Sequence, residues 1–550
     1  MIRRLATAAD ALRRVLANPD MRRAQMAWML GYAGEWSWLV ALWVYAYQTS
    51  GVVAVGTLGL ARTLPAALLS PALSTITGRL PRHRVLLGIH LGRAGLIGFT
   101  ALVIVLGLPP LVVYAVAPLD ALLGVLHRPT HMPLMPALAR SPEEMIASNV
   151  ASSTFEGIGT LAGPALGGLL VAYATPAWGF AIPALIFLAA ALCVSGIRPA
   201  QALRRGVRQA GLLGTLFGGI GALIQYPRAG LVVSLFWAQI IVRGLLNVLL
   251  VVAAVELLHV GEQGVGYLNS AIGAGGFLGV LATVTLVTRR RMAAPFAIGL
   301  VLWGTPILLI GLLPVAPAAV LFLAVLGLGN AVLDVAGFTI MQRSVPNAVR
   351  GRVFGVLESG VMLGTGIGSA LAPLLLALLD VRGALIATGL LLPTLAVLTW
   401  PWVARADADA VIPECELILL RGVPMLSALP MTVVEQVAGD AAPVSFAAGE
   451  TIIRQGEVGD RFYILASGRA QVTVDGRLLG DMEPGDSFGE IALLRDVPRT
   501  ASVVAVGAVD AYALDRDAFL AAVSGDPRSH TAAEAVVLER LAHTPAAPDG

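Results

Sequence analysis

Residues 390–409 read LLLPTLAVLTWPWVARADAD, and the fold turns on this stretch. Up to Trp402 it is apolar and uncharged; then Arg405, Asp407 and Asp409 follow within a few residues. An apolar run of about 20 residues matches the roughly 30 Å core of a bilayer. Runs of this kind recur back toward the N-terminus, whereas after Arg405 they shorten and charge appears. The charge balance splits at the same place. Residues 1–404 hold 26 Arg against 12 Asp and Glu, a net +14; residues 405–550 hold 11 against 22, a net −11.

Over all 550 residues, 57% are hydrophobic and 13% charged, against about 25% charged in an ordinary soluble domain. This composition excludes a cytosolic enzyme, a disordered chain or a nucleic-acid binder as the whole molecule. Lysine does not occur, so every basic residue is arginine and no GxxxxGK[ST] phosphate loop exists. Two cysteines, Cys193 and Cys415, exclude a disulfide framework and a four-thiolate metal site.

The hydropathy pattern predicts an all-α membrane protein of twelve transmembrane helices, near 24–48, 52–77, 84–107, 110–136, 146–173, 177–197, 230–256, 263–288, 293–313, 316–341, 353–378 and 382–403. Arginines fall in alternate loops, and the intervening loops hold only Arg382. The positive-inside rule then puts both termini in the cytoplasm of a multi-pass plasma (inner) membrane protein. The predicted organisation is a cytoplasmic N-terminus (1–23), two six-helix halves (24–197 and 230–404) joined by a basic linker (198–229), a short linker (405–417), a soluble domain (418–542) and a tail (543–550). Two six-span halves suit a secondary transporter.

Residues 159–168, GTLAGPALGG, fit the GxxxGPxxGG pattern at Gly159, Gly163, Pro164, Gly167 and Gly168. Small residues let helix backbones approach, and proline kinks the helix. With this motif, the twelve-span layout resembles the major facilitator superfamily, in which the pattern is associated with antiporters and exporters. Gly34-Glu35-Trp36 and the segment from Gln342 through Arg343, Pro346, Arg350, Gly351 and Arg352 to Val353 resemble its drug and siderophore exporter branch. One departure stands in the loop after span 2. Gly78 and Ser74 occupy the places of the family's aspartate and first glycine, which puts the usual outward-open lock in doubt.

Charges within spans mark the candidate transport pathway, because a bilayer-centre charge costs about 2.5–3.5 kcal/mol on insertion scales. They are Glu35, Asp120 and Glu156 with Arg62, Arg93 and Arg243. Glu35, beside Trp36 and Trp38, is the leading proton-coupling candidate. The alternative is structural pairing, such as Glu156 with Arg62 or Arg93. Asp334 and Glu358 are expected to pair with Arg343, Arg350 or Arg352 as a cytoplasmic gate.

After Arg405, strand patterns at 444–446, 451–454, 461–465, 470–474 and 502–506 alternate with turns, and helices are predicted at 414–440, 516–524 and 530–542. This describes a β-roll or jelly roll with flanking helices. Residues 488–501, FGEIALLRDVPRTA, begin a glycine-started short helix, where free backbone N–H groups favour an anion. Arg499 suits a phosphate, and Glu490 suits a sugar hydroxyl. The segment resembles the phosphate-binding cassette of cyclic-nucleotide-binding domains. The resemblance assigns Gly489, Glu490, Ile491 and Ala492 to its start, Glu490 to the ribose 2′-hydroxyl, and Arg499 with Thr500 and Ala501 to the cyclic phosphate. Val537, Leu538 or Leu541 is the expected cap over the base.

The sequence therefore predicts a non-enzymatic, proton-coupled exporter of an amphipathic small molecule, regulated by cyclic nucleotide, with cAMP favoured over cGMP. An importer or lipid flippase, or a non-transporting receptor on the same fold, is the alternative. Expected partners are the lipid bilayer, the nucleotide, the transported molecule, protons and a second copy of the chain as homodimer. No metal, further cofactor or nucleic acid is expected.

Overall fold

The structure is a computed structural model that describes residues 13, 15–77, 80–139, 142–197, 221, 223–283, 291–345, 347–408, 419–427, 429, 431–524 and 527–542. Arg3, Arg4, Arg14, Gly78, Arg79, Arg140, the basic linker's arginines up to Arg208, Arg289, Arg290 and Cys415 lie outside the described residues. So does the 543–550 tail. The chain divides into two units, Met1–Ala410 and Val411–Gly550.

The first unit is helical: α1 (Pro19–Thr77), α2 (Arg82–Val105), α3 (Pro110–Gly124), α4 (His127–His131), α5 (Leu134–Leu138), α6 (Pro142–Tyr173), α7 (Pro176–Ser195), α8 (Pro227–Val252), α9 (Gln263–Thr283), α10 (Ala293–Leu312), α11 (Ala316–Ser344) and α12 (Asn347–Ala408). Among the described residues, nine helical stretches are long and apolar enough to cross a membrane. Two of them are breached inside. Gly51 (φ 73°) breaks α1 and Asp380 (φ 57°) breaks α12, where the sequence places the loops after spans 1 and 11. Asp380 steadies its break by accepting the Gly383 N–H at 2.7 Å. Expected span 4 is shorter as a helix: it stops at Gly124, and two one-turn helices follow. Pro129, Pro133 and Pro136 lack the N–H a longer helix needs.

This unit turns large apolar side chains outward, among them Leu111 at 74% and Val397 at 72% exposure. That pattern suits hydrocarbon rather than water as the surrounding solvent. Its interior is a tight apolar core that includes Trp38, Leu42, Phe180, Phe296 and Leu323.

The second unit is a two-sheet antiparallel β-roll. Its strands are β1 (Ala442–Phe446), β2 (Thr451–Ile453), β3 (Arg461–Ser467), β4 (Ala470–Val474), β5 (Arg477–Met482), β6 (Ser487–Phe488), β7 (Ser502–Ala505) and β8 (Val509–Asp515). The sheets run β1-β8-β3-β6 and β2-β7-β4-β5. Leu465, Phe488, Val503 and Ala513 belong to one buried cluster that draws on strands of both sheets. A second cluster joins helices α13 (Pro424–Ser427), α14 (Met431–Asp440), α16 (Arg516–Ser524) and α17 (Pro527–Ala542) to β3 and β8, with Phe462 stacked 4.4 Å from Phe519. The predicted 414–440 helix is corrected: within the described residues it is helical at 419–422, Pro424–Ser427 and Met431–Asp440, with a bend at Val423 between the first two. Strands β5, β6 and β8 were not predicted.

Candidate functional site

The β-roll encloses a cavity of about 650 Å³ between the β4–β5 hairpin, the short helix α15 (Glu490–Arg495) and α17. Gly489, Glu490, Ile491, Ala492, Arg499, Thr500 and Ala501 all line it. Gly489 precedes α15 at φ 94°, in the left-handed region that glycine adopts readily. A Cβ there would stand 2.6 Å from Arg499 Nη1 and 2.9 Å from the Arg461 carbonyl. A side chain is excluded both by conformation and by space.

Arg499 is 5% exposed along its side chain. Its Nη1 donates to Gly489 O at 2.9 Å and its Nη2 to Arg461 O at 2.7 Å, while Asp460 lies 3.6 Å away. Burial pulls the guanidinium below its ordinary pKa, and Tyr463, Asp460, Glu490 and Glu457 oppose that pull. A guanidinium carries five N–H donors, so the two carbonyls leave donors for an anion.

Glu490 is 1% exposed. Its Oε1 accepts from Arg540 Nη1 at 2.7 Å, and its Oε2 is buried with no hydrogen-bond partner. Arg540 comes from α17, as do Val536 and Glu539, which also line the cavity. Two of the three expected caps stand away from the cavity. Val537 is buried on another face of α17, and Leu538 is 61% exposed without lining the cavity. Ala533 belongs to the buried cluster of this domain, and Val536, which packs against that cluster, also lines the cavity together with Arg540. The side chain of Leu541 lies outside those described.

In the first unit, four of the six predicted charges pair among themselves. Glu35 accepts from Arg62 at 3.1 Å and Arg93 at 3.3 Å. Arg93 grips Asp120 through two bonds, 2.8 and 3.1 Å, and lies 4.3 Å over the Phe187 ring. Arg93 and Asp120 are both 0% exposed. Glu156 does not pair with Arg62 or Arg93; its partner is Arg128, at 3.5 Å. Arg128 was missed in the sequence although it sits within an expected span, 110–136. Asp334 Oδ2 accepts from Asn330 at 2.9 Å, and Asn330 in turn accepts from Trp303 Nε1 at 2.9 Å; the side chain of Arg350, an expected gate partner, lies outside those described. Arg243 is exposed, deep within α8.

A further group was also missed. His90, His127 and His131 are buried beside Trp28, with His131 stacked on the indole at 4.2 Å and His90 5.0 Å from His127. They come together because α2 and α4 both face α1, which linear spacing does not reveal.

The glycine motif has a definite geometry. Added Cβ atoms on Gly159, Gly163 and Gly167 would stand 2.7, 2.7 and 2.9 Å from the carbonyls of Met29, Ala33 and Ser37 on α1. Gly168 faces α9, where a Cβ on Gly266 would reach 2.4 Å from the Gly168 Cα. Close backbone approach is thus the physical content of the motif.

Comparison with known proteins agrees with both units. Residues 232–446 match the Major Facilitator Superfamily, and residues 443–526 match the cyclic nucleotide-binding domain. The cAMP-dependent protein kinase regulatory subunit of Dictyostelium discoideum is 44% identical over 85 residues, 14% of this chain and 26% of that protein. The subunit of the same name from Emericella nidulans is 42% identical over 102 residues, 18% and 25% of the two chains. A solved structure described as Sp-2Cl-cAMPS bound to PKAR CBD2 is 30% identical, covering 24% of this chain and 94% of that one at a TM-score of 0.22. The chain spans about a quarter of the length of the curated relatives it matches. The protein therefore carries a major facilitator superfamily region together with a C-terminal cyclic-nucleotide-binding domain.

Proposed function

We propose that this is a secondary active transporter with twelve passages in two six-helix halves, both termini cytoplasmic, that exports an amphipathic small molecule in exchange for protons and is regulated by cAMP at its C-terminal domain. The observation that carries the regulatory reading is a cavity that combines a buried guanidinium with free donors, Arg499, and a buried carboxylate oxygen with no partner, Glu490 Oε2. A cyclic phosphate takes up the first, and a ribose 2′-hydroxyl donates to the second. A buried acceptor left unsatisfied costs about 1–3 kcal/mol, so a donor arriving there is favoured. The names of the curated relatives support cAMP as the nucleotide.

Export, rather than import, rests on the GxxxGPxxGG motif and on the likeness of Gly34-Glu35-Trp36 to the exporter branch. Nucleotide alters transport only through a difference in its affinity for two transporter states; a coupling of about 1–3 kcal/mol changes their balance 5–150-fold.

The test is calorimetry on the full-length protein with cAMP and cGMP, followed by substrate movement in proteoliposomes with and without the bound nucleotide. Saturable binding, tighter for cAMP, and a nucleotide-dependent rate are expected. No binding of either nucleotide at millimolar concentration overturns the regulatory reading.

A further inference from the structure

Once the ion pairs of the first half are accounted for, Arg243 stands apart among the described residues, because it lies far from either end of its helix. Arg62 and Arg93 share Glu35, Arg93 also holds Asp120, and Arg128 holds Glu156. Among the described residues, Arg243 makes neither a hydrogen bond nor an ion pair, although it is exposed. It lies 16 residues into α8, about 24 Å from the start of that helix.

The surroundings of Arg243 show which way it faces. The groups acting on its charge are Asp334 of α11 and Tyr32 of α1, from opposite halves. Asp334 in turn feels Arg243, Glu358 of α12 and Arg128 of α4. Gln239, one turn before Arg243 on α8, donates to Asn330 Oδ1 at 3.5 Å, and Asn330 stands one turn before Asp334 on α11, so the face of α8 that carries Arg243 is turned toward the polar groups of α11 rather than toward lipid. A guanidinium turned toward hydrocarbon would carry a penalty without compensation.

Asp334 is held in place for this region. The relay from Trp303 Nε1 to Asn330 Oδ1, and from Asn330 Nδ2 to Asp334 Oδ2, occupies one carboxylate oxygen and leaves the other. Arg243 and Asp334 do not approach within the 4.0 Å of an ion pair. A fixed carboxylate and a free guanidinium therefore stand near each other across a gap.

Resting on the transport reading above, we propose that the transported molecule is a zwitterion, with its acid group on Arg243 and its amine on Asp334, and that the charges of the first half serve as structure. A lone anion would leave Asp334 facing the ligand's acid, and a lone cation would face Arg243. A zwitterion satisfies both groups.

The experiment is phenylglyoxal modification of the full-length protein, read at each arginine by mass spectrometry. The protecting probes are matched aromatic compounds: phenylalanine (zwitterion), benzoate (anion), benzylamine (cation) and benzyl alcohol (neutral). Arg243 is expected to react several-fold faster than Arg62 and Arg93. Phenylalanine is expected to protect best and benzoate weakly, while benzylamine and benzyl alcohol give no protection. In Asp334→Asn, the advantage of phenylalanine over benzoate is expected to vanish. An unreactive Arg243, or equal protection by benzyl alcohol, overturns the site. Benzoate matching phenylalanine in the wild-type protein overturns the zwitterion, and this holds even if the variant fails to fold. The labelling needs no turnover. Ordered protection with no substrate movement in proteoliposomes would count against the transport reading alone.

Discussion

Arg540 and Glu490 are joined across 2.7 Å, which ties the helix α17 to the first residue of α15. Glu490 is 1% exposed, so this contact is the compensation for a buried charge. Arg540→Ala would leave the carboxylate uncompensated. Because Arg540 is itself 36% exposed along its side chain, the loss is expected to be about 1–2 kcal/mol rather than the full penalty of a buried pair. Thermal unfolding of the full-length protein, followed by proteolysis of the C-terminal domain, measures it. An unchanged midpoint would mean that the pair carries no stability.

Arg499→Lys tests whether the site needs a fork of donors rather than a point charge. Lysine cannot reach Gly489 O and Arg461 O together and still present paired donors to an anion. The expected loss of cAMP affinity is about 10–100-fold, the scale of charge-assisted hydrogen bonds worth about 1.5–3 kcal/mol. Calorimetry that finds wild-type affinity would remove Arg499 from the phosphate.

Glu490 Oε2 predicts a sugar requirement. The wild-type protein is expected to bind 2′-deoxy-cAMP about 10-fold more weakly than cAMP, from the loss of one hydrogen bond to a charged acceptor. Glu490→Gln is expected to bind the two almost equally. Equal affinities in the wild type would show that this oxygen does not read the ribose.

Arg93 and Asp120 are both fully buried and doubly bonded. Arg93→Leu strands Asp120 and is expected to cost about 3–5 kcal/mol, seen as loss of folded protein after extraction. Arg93→Leu with Asp120→Leu is expected to recover much of that loss, because an apolar pair often replaces a buried ion pair without penalty. A double variant as damaged as the single would assign Arg93 a role beyond this pair.

Asp510 accepts hydrogen bonds from the Ser445 and Ser467 hydroxyls, which hold its carboxyl below the usual range. A depressed folded-state pKa stabilises above the unfolded value, about 3.9, and the contribution disappears as pH falls through the folded value. Resistance of the β-roll to proteolysis is therefore expected to fall more steeply with acid in the wild type than in Asp510→Asn. Parallel pH curves would dismiss the contribution.

The large divisions of the molecule were legible because hydropathy and charge change sharply near Arg405. The cassette was legible too, since its residues are contiguous and each has a local chemical reason. Strand β8 was not, because Val509-Asp-Ala-Tyr-Ala-Leu-Asp alternates through small alanines and ends in charge, although it pairs with both β1 and β3. Gly480 broke the pattern of β5. The partners of Glu35, Glu156 and Asp334 were illegible for another reason. In a helix that is apolar all round, linear spacing does not say which face meets which neighbour. The hydrophobic pattern counts helices without orienting them.

The meeting of Gly168 with Gly266 has a mechanical consequence. Where these two residues meet, neither backbone carries a side chain, so no knob needs lifting from a hole there when the halves tilt. At that one point the seam is a plain bearing: the two backbones approach directly, with no side chain to interlock. A methyl group on either glycine would wedge the bearing and bias the molecule toward whichever tilt opens that seam.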